Sequence, residues 1–252
     1  MQLNKANFLT WYDNNNYNQL PVINSNKCAK PLLAWHIGDT MSFVINKGLS
    51  SLPTNVNLCR LDKTVVQSLG NLSTYSDTSF TGSKGYATFT CPNVAVGDYI
   101  LSIGTSYYSS PISIISDTNL FNTAKFKFRH KFQKNEVDYA LTSMLNFHQE
   151  FRLFCSFGEV NIISSKEILI DADSLIPREY NTKLSSGYKC TVYSMDIDRH
   201  FALADMVTCS DLYINNERYQ SDGSITANRV GLSGLSNATF NVQDYSMSYP
   251  KR

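Results

Sequence analysis

Four histidines, His36, His130, His148 and His200, are the chain's obvious acid–base candidates. None lies in H-E-x-x-H or another metal-ligand spacing. His130 falls among aromatic residues, where a core or interface histidine is expected. The sequence has no G-x-S-x-G elbow, no phosphate-binding P-loop and no G-x-G-x-x-G fingerprint. Two carboxylate pairs have i, i+2 spacing, Asp171 with Asp173 and Asp196 with Asp198. In a strand each pair projects from one face and could share a hard cation, but neither sits in a twelve-residue EF-hand loop. Turn acids, or acids paired with Arg199 and Lys189, are the simpler expectation. These residues nominate no catalytic group, metal site or cofactor, and a non-enzymatic protein is expected.

The cysteines, Cys28, Cys59, Cys91, Cys155, Cys190 and Cys209, are scattered, with no C-x-x-C pair. Zinc sites usually show close pairs, and disulfide scaffolds are smaller and denser. Reduced cysteines in a cytoplasmic fold are expected. The first residues carry no basic flank, apolar stretch and cleavage site of a signal peptide. No apolar run approaches the roughly 20 residues that span a bilayer, so no membrane insertion is expected. Asn71-Leu72-Ser73 and Asn237-Ala238-Thr239 match the glycosylation pattern, which matters only for a secreted chain.

The chain of 252 residues is 42% hydrophobic and 17% charged, enough apolar material to build a core. Fifteen Tyr and fourteen Phe suit half-buried pleated surfaces. A formal net charge of +1 supplies no global field for nucleic acid.

Short alternating runs separated by turn residues then predict the architecture. Residues 1–30 read as an extended, Asn-rich N-terminal arm, pinned by Phe8, Leu9 and Trp11 and either disordered or captured by a neighbouring subunit. Residues 31–117 read as a first β-sandwich domain and 118–252 as a second. The expected class is all-β, with two antiparallel sandwich-like domains of immunoglobulin-like or jelly-roll-like type.

The clearest pattern opens the second half. Phe126, Phe128, His130 and Phe132 alternate with Lys125, Lys127, Arg129 and Lys131. One face of this strand is therefore aromatic and the other basic. The row Lys125, Lys127, Arg129 and Lys131 is the candidate interface for an acidic partner; the alternative is a solvated face or an edge guard. Nucleic acid is not expected, because aromatics that could stack on bases lie on the opposite face from the charges. Phe151, Leu153, Cys155 and Phe157 repeat the alternation. Lys189 to Ile197 reads as a strand with Thr191, Tyr193, Met195 and Ile197 on one face. Asn215-Asn216 reads as a tight hairpin turn. Helix is scarce: Asn135 to His148 has helical spacing, and a short turn is plausible near Ser174–Tyr180.

Several stretches resemble structural virion proteins of tailed bacteriophages of Bacteroidota, especially the crAss-like phages. These are YYSSPISI from Tyr107, FKFRHKF from Phe126, QEFRLFCSF from Gln149 and HFALADMVTCSDLYINNERY from His200. The last, with its serine-aspartate step, short strand, polar hairpin and aromatic return, is the most telling. PLLAWHIGDTMSF from Pro31 matches loosely. The resemblance implies a β-rich collar, fibre or tail-type subunit, made in the host cytoplasm and residing in the virion. Its partners would be further copies of itself and other virion proteins. The alternative is a carbohydrate-binding adhesin that grips a host surface glycan with Tyr107, Tyr108 or the Asn14–Tyr17 segment. A polysaccharide depolymerase would need a carboxylate pair that the sequence does not nominate.

Overall fold

A computed structural model of the chain describes residues 8–18, 32–47, 52–75, 83–131, 133–134, 137–141, 144–170, 177–229 and 235–244. The fold is all-β and sandwich-like, with few helices. The first half holds β1 (Trp11–Asp13), α1 (Asn14–Asn18), β2 (Leu33–His36), β3 (Thr40–Lys47), β4 (Asn55–Arg60), β5 (Val65–Asn71), β6 (Ser73–Tyr75), β7 (Ser83–Thr90), β8 (Gly97–Ile103), β9 (Tyr107–Ser109) and β10 (Ile112–Ile115). A 3-10 helix, Asp117–Asn122, leads to β11 (Thr123–Arg129), β12 (Gln133–Lys134), β13 (Val137–Asp138), β14 (Gln149–Ile170) and β15 (Pro177–Met195). Then come α2 (Ile197–Val207), β16 (Asp211–Ile214), β17 (Glu217–Ser221), β18 (Thr226–Arg229) and β19 (Ser236–Asp244).

In the first half β5, β4, β8, β10 and β2 pair in that order, and β3, β7 and β6 form a second layer. Phe43, Leu58, Leu101 and Ile114 are buried in the core of this half. The β10–β2 pair is parallel, while the other described pairs are antiparallel.

The second half closes on itself. β11 pairs with β14, β14 with β15, β15 with β19, β19 with β17, β17 with β16, and β16 again with β11. Alternation along each strand sends one side-chain set inside this ring. The β11 set Ala124, Phe126 and Phe128 is fully buried, as are Phe151 and Leu153 of β14 and Phe240 and Val242 of β19. Phe126 and Phe240 lie 6.4 Å apart between centroids, and Phe128 and Phe151 6.3 Å. The ring joins the first half where β14 pairs with both β2 and β3, and buried residues from both sides of position 117 form one cluster.

Residues 8–18 of the expected arm are seated on the chain's own body. Phe8, Leu9 and Trp11 are completely buried, and β1 pairs with β9. Three large apolar side chains in so short a stretch make docking far more favourable than solvation. The rest of the arm lies outside the described residues, as do Cys28 and Phe132.

The helix expected over 135–148 does not form. Its described residues include strand β13, a turn at Tyr139 and a short 3-10 turn at Met144. Val137, Tyr139, Met144 and Phe147 are buried instead against Val44 and Tyr75 of the first half. The strand expected to reach Ile197 ends at Met195, and its buried face is the opposite one. Cys190 and Val192 are buried while Tyr193 is exposed. A register shift between Val192 and Met195 then returns Met195 to the interior. Asp196 caps α2, its Oδ1 accepting the Arg199 N–H at 2.9 Å. Ala202, Leu203, Met206 and Val207 bury the inner face of this helix.

The Asn215-Asn216 turn forms as expected, with φ of 50° and 71°. Asn tolerates this left-handed region better than most residues, and two successive positive φ values match the twist of a two-residue hairpin. The turn also clasps β11: Asn215 N–H donates to the Lys125 carbonyl at 2.8 Å, and Asn215 Oδ1 accepts from Lys125 N–H at 3.0 Å.

Replacing Phe151 with Ala should cost about 3–5 kcal/mol in urea denaturation. Replacing Phe121, which is 80% exposed, should change stability by no more than about 0.5 kcal/mol.

Candidate functional site

The basic row lies on β11 as the alternation requires, with Lys125, Lys127 and Arg129 opposite the buried phenylalanines. Three of its four members are bound within the chain. Lys125 Nζ lies 3.2 Å from Glu150 Oε2 and donates to Thr40 Oγ1 at 2.9 Å. Lys127 Nζ lies 3.6 Å from Glu150 Oε1, and the Thr40 hydroxyl also donates to Glu150. Arg129 donates to the Tyr139 carbonyl at 3.0 Å.

The next strand explains this arrangement. Register places Lys127 opposite Glu150 and Lys125 opposite Arg152. The two like charges are tolerated because each has its own acid. Glu150 serves Lys125, and Arg152 Nε donates to Asp39 Oδ2 at 2.6 Å. Arg152 also donates to Thr123 Oγ1 at 3.2 Å. Lys125, Glu150, Arg152 and Asp39 are all mostly buried at the side chain. Screening by salt is weak at such sites, so the pairs hold more than surface ion pairs do. Asp39 and Thr40 belong to the first half, and the other members to the second. The lattice therefore ties the two halves together.

The sequence reading missed Glu150, Arg152 and Asp39. A signal was present: Glu150 and Arg152 alternate with Phe151 and Leu153 as the lysines alternate with Phe126 and Phe128.

Lys131 lies beyond the strand and is exposed. It borders a polar cleft of about 450 Å³ between the end of α2 and the β17 segment, lined also by Cys209, Arg218, Tyr219 and Asp222. The cleft walls are internally bonded. Arg218 pairs with Asp211 at 2.5 Å, Asp222 accepts from the Ser224 N–H and hydroxyl, and Cys209 Sγ donates to the Asp205 carbonyl at 3.2 Å.

His36 and His200 engage partners outside this lattice, whereas His148 lies close enough to feel Lys127 and Arg129. His36 Nε2 meets Asp117 Oδ1 at 2.6 Å. His200 Nε2 is hydrogen-bonded to the Ser236 hydroxyl. The nearby Asp196 carboxylate does not orient that imidazole, because its two oxygens engage the backbone and guanidinium of Arg199. The expected Asp196–Arg199 pair thus exists, whereas Lys189 pairs with Glu159 at 3.2 Å. The Asp198 side chain, Asp171 and Asp173 lie outside what is described. Among the described residues, no three His, Cys, Asp or Glu side chains gather closely enough to hold a metal ion.

Of the aromatics nominated for gripping a glycan, two pack on each other and Tyr107 is half-buried against the core. Tyr17 and Tyr108 are buried, with ring centroids 5.2 Å apart. Lys63 Nζ sits 5.2 Å and 4.7 Å from the two centroids and donates to Asn14 Oδ1 at 2.5 Å. Burial, followed by the neighbouring Cys59, Tyr108 and Asp62, pushes the Tyr17 hydroxyl up to about 12. Described cysteines are free thiols, and Cys59, Cys91, Cys155 and Cys190 are buried. Burial, then the nearby Asp39, pushes the Cys91 thiol up to about 12, which keeps it protonated and unreactive.

No family model matches the chain, and no curated protein matches it. Among solved structures, the crystal structure of bovine butyrophilin is similar over 87% of this chain and 85% of that chain, at 10% identity and a TM-score of 0.19. A score that low carries no argument about this protein.

Glu150→Gln should destabilise the chain by about 1–3 kcal/mol, since it leaves two partly buried lysines without their carboxylate. Lys131→Glu should shift the urea midpoint little. Burial holds His148 and His200 below their ordinary 6.5. The unfolded chain therefore binds more protons at mildly acid pH, and stability rises with pH through that window. The melting temperature should fall as pH drops below about 6.5 and level off under the depressed folded values. His200→Gln should reduce that fall.

Proposed function

We propose that this protein is a non-enzymatic structural subunit of a tailed-phage virion, of collar, fibre or tail-associated type, working in multiple copies. What supports the reading is the long ribbon formed by β14 and β15. Their pairing continues from Cys155↔Val192 to Ile170↔Pro177. From 161 to 170 and from 177 to 186, neither strand has a third partner among the described residues. At about 3.3 Å per residue, this two-stranded stretch is roughly 33 Å long.

Such a ribbon by itself is marginal in water, because two strands bury little. Its two outer edges also present rows of backbone donors and acceptors that another chain can pair with. A long ribbon with no third strand among the described residues, on a well-packed body, fits a subunit whose remaining contacts come from neighbours. The resemblance of the second half to crAss-like virion proteins supplies the kind of assembly.

Light scattering on the purified full chain should give a discrete multiple of the monomer mass. A variant in which residues 163–185 are replaced by Asn-Gly, joining Ile162 to its partner Ser186 by a two-residue turn, should lose that multiple and retain the melting transition of the body. A full chain that stays monomeric at every concentration and does not load onto phage particles would overturn the proposal.

A further inference from the structure

The segment Phe8–Asn18 is held by side chains rather than by a broad ladder. Among the described residues β1 pairs with β9 alone, over three residues, extended by the Ser110 N–H donating to the Thr10 carbonyl at 2.7 Å. Its anchors reach both halves of the molecule. Phe8 packs edge-on to Phe151 at 5.6 Å and meets Phe128 at 6.5 Å, inside the second half. Trp11 meets Phe43 at 5.6 Å in the first half, and Tyr17 donates to the Leu61 carbonyl at 3.2 Å. Residues 8–18 therefore fill a groove whose described walls come from both halves of the chain.

Residues 19–31 join this segment to β2. Thirteen extended residues reach on the order of 45 Å. Contacts in the groove are the same whichever copy supplies the segment, so the competition depends on effective concentration alone. Within one chain the tether sets that concentration. In an assembly, neighbouring copies raise it for one another. Exchange of an identical element on these terms is a low-cost route between copies.

We infer that the groove accepts residues 8–18 of a second copy, and that assembled copies are strapped together by exchanged N-terminal strands. The inference rests on the multi-copy reading above. The groove's occupant is fixed by its own chemistry: aromatic pockets for Phe8, Trp11 and Tyr17, a β9 edge for Thr10 to Asp13, and Lys63 for Asn14.

Thr10 and Ser110 face one another across the β1–β9 edge, and residues opposite in a hydrogen-bonded antiparallel pair have Cα atoms about 5.5 Å apart, within the range of a disulfide. Full chains carrying T10C alone and S110C alone would be mixed in urea and refolded together over a range of concentrations. The doubly substituted chain would be refolded separately. Mass spectrometry of the linked peptides distinguishes this bond from links through native cysteines, and circular dichroism checks that each variant is folded. The expected result is a 10–110 link between chains that rises with concentration, and a link within one chain in the double variant when dilute. Closure of the double variant without any link between chains would overturn the exchange. Failure of the double variant to close would overturn the seat itself. A discrete oligomer without the interchain link would leave the multi-copy reading standing and remove the exchange, whereas a monomer without it would remove both.

Discussion

Everything else in the structure depends on β14 serving two masters along one strand. Its inward residues Phe151, Leu153 and Cys155 complete the core of the closed ring. Of its outward residues, Glu150 neutralises Lys125 and Lys127 and accepts from Thr40 of the first half, while Arg152 reaches Asp39 there. Period-two geometry makes this possible, since a strand can be apolar on one side and ionic on the other without compromise. Shift its register by one residue and both functions fail together. Further along, β14 leaves the body and becomes one side of the ribbon. A bulge at Gly158, where φ is +118° and an added Cβ would meet nothing, marks the start of that departure.

The ionic lattice changes the meaning of the basic row. Read from β11 alone, four cations on a strand face look like a surface seeking an acid. The acid is supplied by Glu150 on the neighbouring strand, and Asp39 at the corner between β2 and β3 takes up Arg152. Lys131, past the end of β11, keeps the full exposure that the row promised, and Lys127 keeps part of it. Desolvated pairs of this kind specify how two packed units meet, because a misplaced approach leaves a charge buried alone.

Local alternation was legible and long-range closure was not. The buried face of β11, the inward set of β14 and the Asn215-Asn216 hairpin follow from residue spacing and turn chemistry, which act over a few positions. The helical spacing around Val137, Leu141 and Met144 misled, because those residues answer to Val44 and Tyr75, some 60 to 100 positions away in the chain. Helix α2 was hidden for a different reason. Alternation through Tyr193 and Met195 hides a register shift, and the capping role of Asp196 cannot be distinguished from a turn acid until the strand is known to stop. At the site, charge pattern located the cations, but pairing register was needed to find Glu150, Arg152 and Asp39.

The seat of the N-terminal segment also sets a schedule for the ribosome. Trp11 and Phe8 are made before the elements that receive them, since β9 and Phe151 emerge about 100 and 140 residues later. At translation rates of roughly 5–20 residues per second, Phe8 waits on the order of ten seconds before its pocket exists. Through that interval its aromatic anchors are nascent-chain surface, available to chaperones or to sister chains on the same message. Residues made early in this stretch thus find their place late, and polysome crowding bears on where they settle.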